Sequence, residues 1–554
     1  MSLQALADDF WDAKMRAKPL WATLSGYPRY HDRLEDHGAR GREESRRRLS
    51  ALLARSRALE RAPLGREDAL TRDVLVYQLE TDLAHFEHRH WEFEIDGTDG
   101  PQTRIAAMVA MGQPMADELD AQRLLRRMEA FPRFFEEQID NLEEGLAAGR
   151  SGVAAPLERT IEQLREQLAQ EPERSPFADA ARKLPERVRS RALPLVLDAV
   201  ERRVNPAYDR YLRYLVAYRH RARPDDRPGL CHLPDGETAY RERIRFRTTL
   251  DLTAEEIHRG GVTELDALKQ EMREVAGRLG HRAGSLPEVF DAVRRDPRAH
   301  FESAEQMVRE ARELVDAMNA GLPRFFGRLP KTSCVVEPVE PFRERSAPGG
   351  QYYAPPDDLS RPGIFQINTF EPENRERFGL AALVAHEALP GHHLQLALAA
   401  ENGSLPLFRR RAAFNAYVEG WALYAERLAD EMGAYRDDLA RLGMLMEQAF
   451  RACRLVVDTG LHAFGWTREQ AVRRMLESLP MSRVQIEAEV DRYIVWPAQA
   501  LAYKLGQREI ESLRRERQAA LGSAFDLRAF HDAVLAHGPL PLPLLRKLIS
   551  GVRP

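Results

Sequence analysis

Ala385-His386-Glu387-Ala388-Leu389-Pro390-Gly391-His392-His393-Leu394-Gln395 is the stretch on which the reading of this chain turns. It sets three imidazoles and a carboxylate within eight positions, inside a run from Leu380 to Ala400 that otherwise reads as an apolar helix. Polar groups of this kind are costly to bury unless something pairs with them, and a divalent metal is the usual partner.

The pair His386-Glu387 opens the pattern His-Glu-x-x-His, in which two histidines four apart on one helical face hold zinc. The glutamate between them then works on the attacking water. Here the fourth residue after His386 is Pro390, and the next imidazoles are His392 and His393. In an unbroken helix these would lie about 9 and about 10.5 Å further along the axis. Ligands of one zinc, each about 2.0–2.1 Å from it, cannot be so far apart. The helix must therefore break or bulge, and Pro390-Gly391 is where it can. The fewest extruded residues favour His392 as the second ligand, whereas the helical phase of seven favours His393.

The third ligand is sought in Phe414-Asn415-Ala416-Tyr417-Val418-Glu419-Gly420-Trp421-Ala422-Leu423-Tyr424-Ala425-Glu426. Glu419 and Glu426 are seven apart and share one face of an apolar, aromatic-rich helix, where carboxylates are seldom buried unpaired. Glu419 is the expected ligand, with Glu426 behind it orienting a histidine. Asp458 and His462, four apart, form a further candidate orienting pair, or else belong to a helix end around Gly460. His85, His88 and His90 lack a matching carboxylate constellation and read as helix surface or core.

The 554 residues exceed one ordinary core. Lysine and arginine number 82 against 86 acidic residues, so bulk charge implies neither nucleic acid nor an anionic membrane as partner. Cys231, Cys334 and Cys453 are widely spaced and form no CxxC pair, which points to a reducing compartment. The first residues lack a basic region and a long apolar core, and no apolar run reaches about 18 residues. A cytoplasmic protein without a membrane span is expected.

Residues 1–230 read as consecutive amphipathic helices, including 43–61, 70–90, 121–148 and 157–169. The loop chemistry of 221–237 marks a boundary, giving an N-terminal helical lobe over 1–230 and a catalytic lobe over 231–554. Thr253-Ala254-Glu255-Glu256 is a capping-box pattern. The region 335–369 carries the convincing strand signals, immediately before the His386 helix, where an edge strand could receive an extended peptide. Helices are expected again over 409–432, 437–459, 467–478 and 482–515.

His-Glu-Ala-Leu-Pro-Gly-His-His-Leu-Gln followed by Tyr-Val-Glu-Gly-Trp-Ala-Leu-Tyr-Ala-Glu closely resembles the bacterial "domain of unknown function 885" family, which is grouped with the glutamate-zincin metallopeptidases. The resemblance extends from Lys18-Pro19 through Leu233-Pro234-Asp235-Gly236 and Asp458-Thr459-Gly460-Leu461-His462 to Arg492-Tyr493 and Ala502-Tyr503-Lys504-Leu505-Gly506. Looser relatives are the helical oligopeptidases, whose C-terminal tyrosines, and in some a histidine, stabilise the oxyanion. Tyr493 looks like the tyrosine of the angiotensin-converting-enzyme type and Tyr503 like that of the Taq-carboxypeptidase type.

The resemblance implies a mainly α, large helical zincin-like fold with a deep cleft and a small β-sheet before the metal-binding helix. It further implies one Zn2+ per chain, held by His386, Glu419 and His392 or His393. The activity implied is hydrolysis of amide bonds in short peptides, with Glu387 as general base and Tyr493, Tyr503 or His462 assisting. The competing readings are a helical iron oxygenase-like enzyme and a metal-free helical scaffold. Oligomeric state is left open by the sequence.

Overall fold

The computed structural model describes residues 2–281, 285–340, 344 and 347–551. The architecture is mainly α, as the periodicity requires. The Leu-and-Arg/Glu pattern after residue 43 forms the helix Ala39–Ala58, and 70–90 contributes Arg66–Ala84. The run 121–148 is two helices, Glu118–Glu129 and Phe131–Ala147, because Pro132 can occupy only a first turn.

The chain divides into two compact units. The first holds Met1–Ala239 together with Leu461–Glu469 and Ala488–Trp496. Its centre is aromatic: Phe131 meets Phe177 edge-on at 5.5 Å, and Phe135 meets Tyr208 at 5.2 Å and Tyr211 at 5.2 Å. Two of these pairs are edge-to-face and Phe135–Tyr211 is tilted at 47°, and such ring contacts add to the area each ring removes from water. Arg127 is fully buried there, donating to the carbonyl of Arg33 at 2.9 Å and to Thr23 Oγ1 at 2.7 Å. Its hydrogen bonds satisfy a cation that burial alone would penalise. His85 ends the Arg66–Ala84 helix, and its ring lies 5.8 Å from that of His90.

The second unit holds Tyr240–Gly460, Gln470–Glu487 and Pro497–Pro554. Thr253 accepts from the Glu256 N–H while Glu256 reaches back to the Thr253 N–H, so the capping box starts the helix Ala254–Arg278. Among the described residues of 335–369 there are three strands: β1 (Cys334–Pro338), β2 (Gly350–Tyr353) and β3 (Gly363–Ile367). Residues 341–343 and 345–346 lie outside the described residues. β3 is central, parallel to β1 with Val336 opposite Phe365 and antiparallel to β2 with Tyr352 opposite Phe365. β2 is therefore an edge strand, and it packs on the His386 helix, where Leu383 closes over Gly350.

The expected helix over 482–515 is instead two helices, Arg483–Val495 and Ala502–Leu521. Pro497 cannot donate to the ladder, and Ala498 takes a positive φ of 64°. The helix Asn415–Glu431 lies against Ala502–Leu521 in backbone contact. A Cβ on Gly420 would come 2.4 Å from Gly506 Cα, and one on Gly506 would come 1.8 Å from the Ala416 carbonyl. No larger residue fits either position without separating the helices.

Candidate metal centre

The apolar run breaks where proline and glycine allow it. One helix, Leu380–Glu387, ends after the His386-Glu387 pair, and a second, His392–Glu401, begins at the next imidazole. Between them the Leu389–Pro390 bond is cis, and the turn is held by backbone bonds and by Trp421, whose indole N–H donates to the Pro390 carbonyl at 3.0 Å. The His393 N–H donates to the Ala388 carbonyl at 3.0 Å. Gly391 is pressed against the preceding helix: a Cβ there would lie 2.0 Å from the His386 carbonyl oxygen and 2.3 Å from that of Ala385. The hairpin brings the rings of His386 and His392 to 4.9 Å, nearly perpendicular.

Both rings turn an Nε2 toward Glu419. The distances to Glu419 Oε2 are 3.7 Å from His386 and 3.5 Å from His392. One ligand atom from each of the three residues lies within 4.8 Å of the others. These separations exceed a good hydrogen bond. Ligands about 2.0–2.2 Å from a shared tetrahedral centre stand about 3.3–3.6 Å apart, so the trio has the spacing and the N/N/O donor set of a divalent-metal site.

The support behind the trio is also in place. His386 Nδ1 lies 2.8 Å from Glu426 Oε1, and the other Glu426 oxygen accepts from Gln448 Nε2 at 2.8 Å. Gln448 Oε1 accepts in turn from Lys504 Nζ at 2.8 Å and from Gln507 at 2.9 Å. Fixing Nδ1 with a carboxylate sets the ring so that Nε2 points at the trio. His392 Nδ1 is buried without a hydrogen-bond partner. Burial works against charge on His386, but Glu419 and Glu426 outweigh it and hold its pKa up at about 9. Burial would raise the Glu419 carboxyl, yet the imidazoles of His386 and His392 keep it far below the usual carboxylate range. Burial lowers Lys504 to about 8.

His393 faces elsewhere. Its Nδ1 lies 2.9 Å from the Tyr352 hydroxyl and its Nε2 donates to the Thr332 carbonyl at 3.1 Å, tying the hairpin to β2 and the start of β1. Glu387 is half-buried at the end of its helix. Tyr503 lies in the same unit as the trio, with the Arg454 guanidinium 4.8 Å from its ring centre. Tyr493 belongs to the first unit, buried, with its hydroxyl donating to Glu489 at 2.7 Å. His462 is also in the first unit, where its Nδ1 accepts from the Leu230 N–H at 3.2 Å and its Nε2 donates to the Tyr493 carbonyl at 3.0 Å. Asp458 accepts from the Tyr240 hydroxyl at 2.5 Å and the Ala498 N–H at 3.1 Å. Sequence reasoning missed Gln448 and Lys504. Lys504 lay within the quoted Tyr503-Lys504-Leu505-Gly506 stretch, but nothing local marks Gln448.

Fold and site together define a mainly α protein with a part-buried His–His–Glu trio at a spacing that could hold a metal ion. The chain belongs to the family described as bacterial protein of unknown function (DUF885), whose model matches residues 19–549. Among solved structures it is similar to "the putative lipoprotein from Colwellia psychrerythraea", with a TM-score of 0.93 and 29% identity over 99% of this chain and 98% of that one. It also shares its fold with "a putative lipoprotein of unknown function from Shewanella oneidensis", at a TM-score of 0.77 and 20% identity over 99% and 100% of the two chains. Oligoendopeptidase F from Bacillus anthracis, itself named with the qualifier "putative", aligns at a TM-score of only 0.29 and 12% identity over 91% and 94%, which carries no argument. No curated protein matches. Among the described residues no helix is long and apolar enough to cross a membrane.

Proposed function

We propose that the protein is a zinc-dependent hydrolase of amide bonds in short peptides, a glutamate-zincin with one Zn2+ per chain. The observation that carries the reading is the convergence of His386 Nε2, His392 Nε2 and Glu419 on one point, with Glu426 behind His386. His386, His392 and Glu419 would hold the ion. Bound there, zinc supplies Lewis acidity that polarises a carbonyl and acidifies water.

The chain's own residues supply the rest. The Glu387 carboxylate takes a proton from the attacking water and returns it to the leaving amine nitrogen, so that C–N cleavage yields a carboxylate and an amine. The Tyr503 hydroxyl is the favoured donor to the developing oxyanion, because it shares a unit with the trio and has a cation against its ring. The Glu489 partner of Tyr493 and the backbone partners of His462 support structural roles for those two. Edge strand β2, packed on the His386 helix, supports binding of an extended peptide by strand addition. The three cysteines are free thiols, which supports the cytoplasm as compartment.

The test is to incubate zinc-loaded protein with a peptide library and read the cuts by mass spectrometry, alongside metal analysis of protein purified without added zinc. Cleavage that chelation abolishes and zinc restores is the expected result. Two irons per chain would transfer the site to oxidation chemistry, and no metal with no cleavage would leave a scaffold.

A further inference from the structure

Tyr352 stands where the edge of the sheet meets the helix that carries His392. The Asn368 N–H donates to the Gly349 carbonyl at 3.0 Å, one step before Gly350 pairs with Ile367 and three before Tyr352 pairs with Phe365. Bonding alternates along an antiparallel ladder, so Gly349, Gln351 and Tyr353 face β3, while Gly350 and Tyr352 turn their N–H and C=O toward the outer edge. Side chains alternate too, and 350 and 352 share a face. A Cβ on Gly350 would come 3.0 Å from Leu383, so that face meets the helix Leu380–Glu387.

The Tyr352 side chain is pinned on that face. The Thr332 carbonyl can only accept, so the His393 Nε2 that meets it at 3.1 Å carries the proton. In the neutral ring Nδ1 is then left to accept from the Tyr352 hydroxyl at 2.9 Å. The two rings meet edge-on at 5.5 Å. The Lys331 and Thr332 N–H groups donate to Glu401 at 2.7–3.0 Å, so the segment that holds His393 is itself fixed to the far end of the helix His392–Glu401. Gly363 leaves room for the pair: a Cβ there would lie 2.2 Å from the Tyr352 hydroxyl oxygen and 2.6 Å from His393 Nδ1. Tyr352 therefore joins the outer edge of β2 to the residue next to the ligand His392.

We propose that Tyr352 is a positioning residue: through His393 it fixes the height of β2 against the His392 helix, and so decides which amide of a strand-bound peptide reaches the metal centre. One residue along a strand is about 3.3 Å, and like faces recur every second residue. Slack in the bonded pair thus misplaces the amide, and a slip of two residues presents another of the same face. This rests on the hydrolase reading above, which supplies the bond broken.

The experiment uses zinc-loaded protein and one short peptide that the parent cuts at a single bond, together with analogues in which each backbone N–H is methylated in turn. In the parent, methylation should lower kcat/KM at alternate residues, those whose N–H faces β2. Tyr352→Phe keeps the ring and loses the bond to His393, whereas Gly363→Ala crowds the same bond from outside, so one serves if the other fails to fold. In both, kcat should fall about 10–100-fold, since about 1 Å of misplacement can cost about 100-fold. KM should change less, and a second cut should appear two residues from the first. Chelator competition should find the parent's zinc affinity in both variants, because the trio is untouched. Unchanged kcat with the single original cut overturns the proposal. So does a loss of zinc affinity that accounts for the lost turnover, since the pair would then serve only the ligand helix. A parent that cuts no peptide removes the hydrolase reading and this proposal with it, whereas parent and variants that cut alike remove only the role of Tyr352.

Discussion

Glu387 follows His386 at the last position of its helix, half-buried and next to the ligand trio. Glu387→Gln keeps the size and removes the base, so zinc content and fold should persist while hydrolysis falls by about 10²–10⁴-fold. Turnover of the variant within a few-fold of the parent would take Glu387 out of the chemistry. Glu419→Ala should abolish stoichiometric zinc, and Glu426→Ala should weaken zinc by about 10–100-fold, as loss of an orienting partner does. Chelator competition ranks the two, and the reverse order would exchange their roles. His531, fully buried, is not one of the ligand trio: its Nδ1 donates to the Phe325 carbonyl and its Nε2 accepts from the Tyr424 hydroxyl. Burial pushes its pKa down to about 4. The folded state then binds fewer protons than the unfolded one between about pH 4 and 6.5, so its stability is fully present above that window and declines as pH falls through it. Between about pH 7.5 and 5.5 the metal-free parent should lose about 1 kcal/mol more than His531→Gln in urea titrations. Equal losses would mean that this imidazole is charged in the folded protein.

At the scale of elements, the hairpin between Glu387 and His392 is the feature with most leverage. The need for a break was legible in Pro390-Gly391, because an unbroken helix would carry the imidazoles too far apart. Which of His392 and His393 turns toward His386 was not legible. Helical phase and loop economy pointed in opposite directions, and the choice rests on Trp421 and Tyr352, brought from distant sequence. Gly391→Ala inserts a Cβ into the His386 and Ala385 carbonyl oxygens, so the hairpin should open and zinc affinity should fall with every ligand intact. Replacing both Pro390 and Gly391 with alanine should go further, favouring a continuous helix by about 3 kcal/mol for the proline alone. Either variant binding zinc as tightly as the parent would remove the geometric role of the turn. The single helix expected over 482–515 failed for a similar reason: its pattern is continuous, but Pro497 and the positive φ at Ala498 divide it.

For the whole molecule, the two units should respond differently to metal. The ligand trio lies within the second unit, and zinc at about 1,000 times its Kd would stabilise the folded state by about 4 kcal/mol. Hydrogen exchange with and without chelator should therefore slow in Leu380–Glu387, His392–Glu401 and Asn415–Glu431 when zinc is present. The helix Phe131–Ala147 of the first unit should show the smallest change. Protection spread evenly over both units would mean that metal binding is coupled to global folding and not to this site.

By itself the sequence determined the mainly α character, the place of the small sheet, the capping box at Thr253 and the break in the motif helix. All of these depend on periodicity and backbone chemistry that neighbouring residues carry. Only the tertiary structure decided that His393 turns to Tyr352 and Thr332, that Gln448 and Lys504 stand behind Glu426, and that Leu461–Glu469 and Ala488–Trp496 return to the first unit. Those outcomes join groups tens to hundreds of residues apart. No local pattern encodes such meetings, because they follow from packing against helices such as those crossing at Gly420 and Gly506.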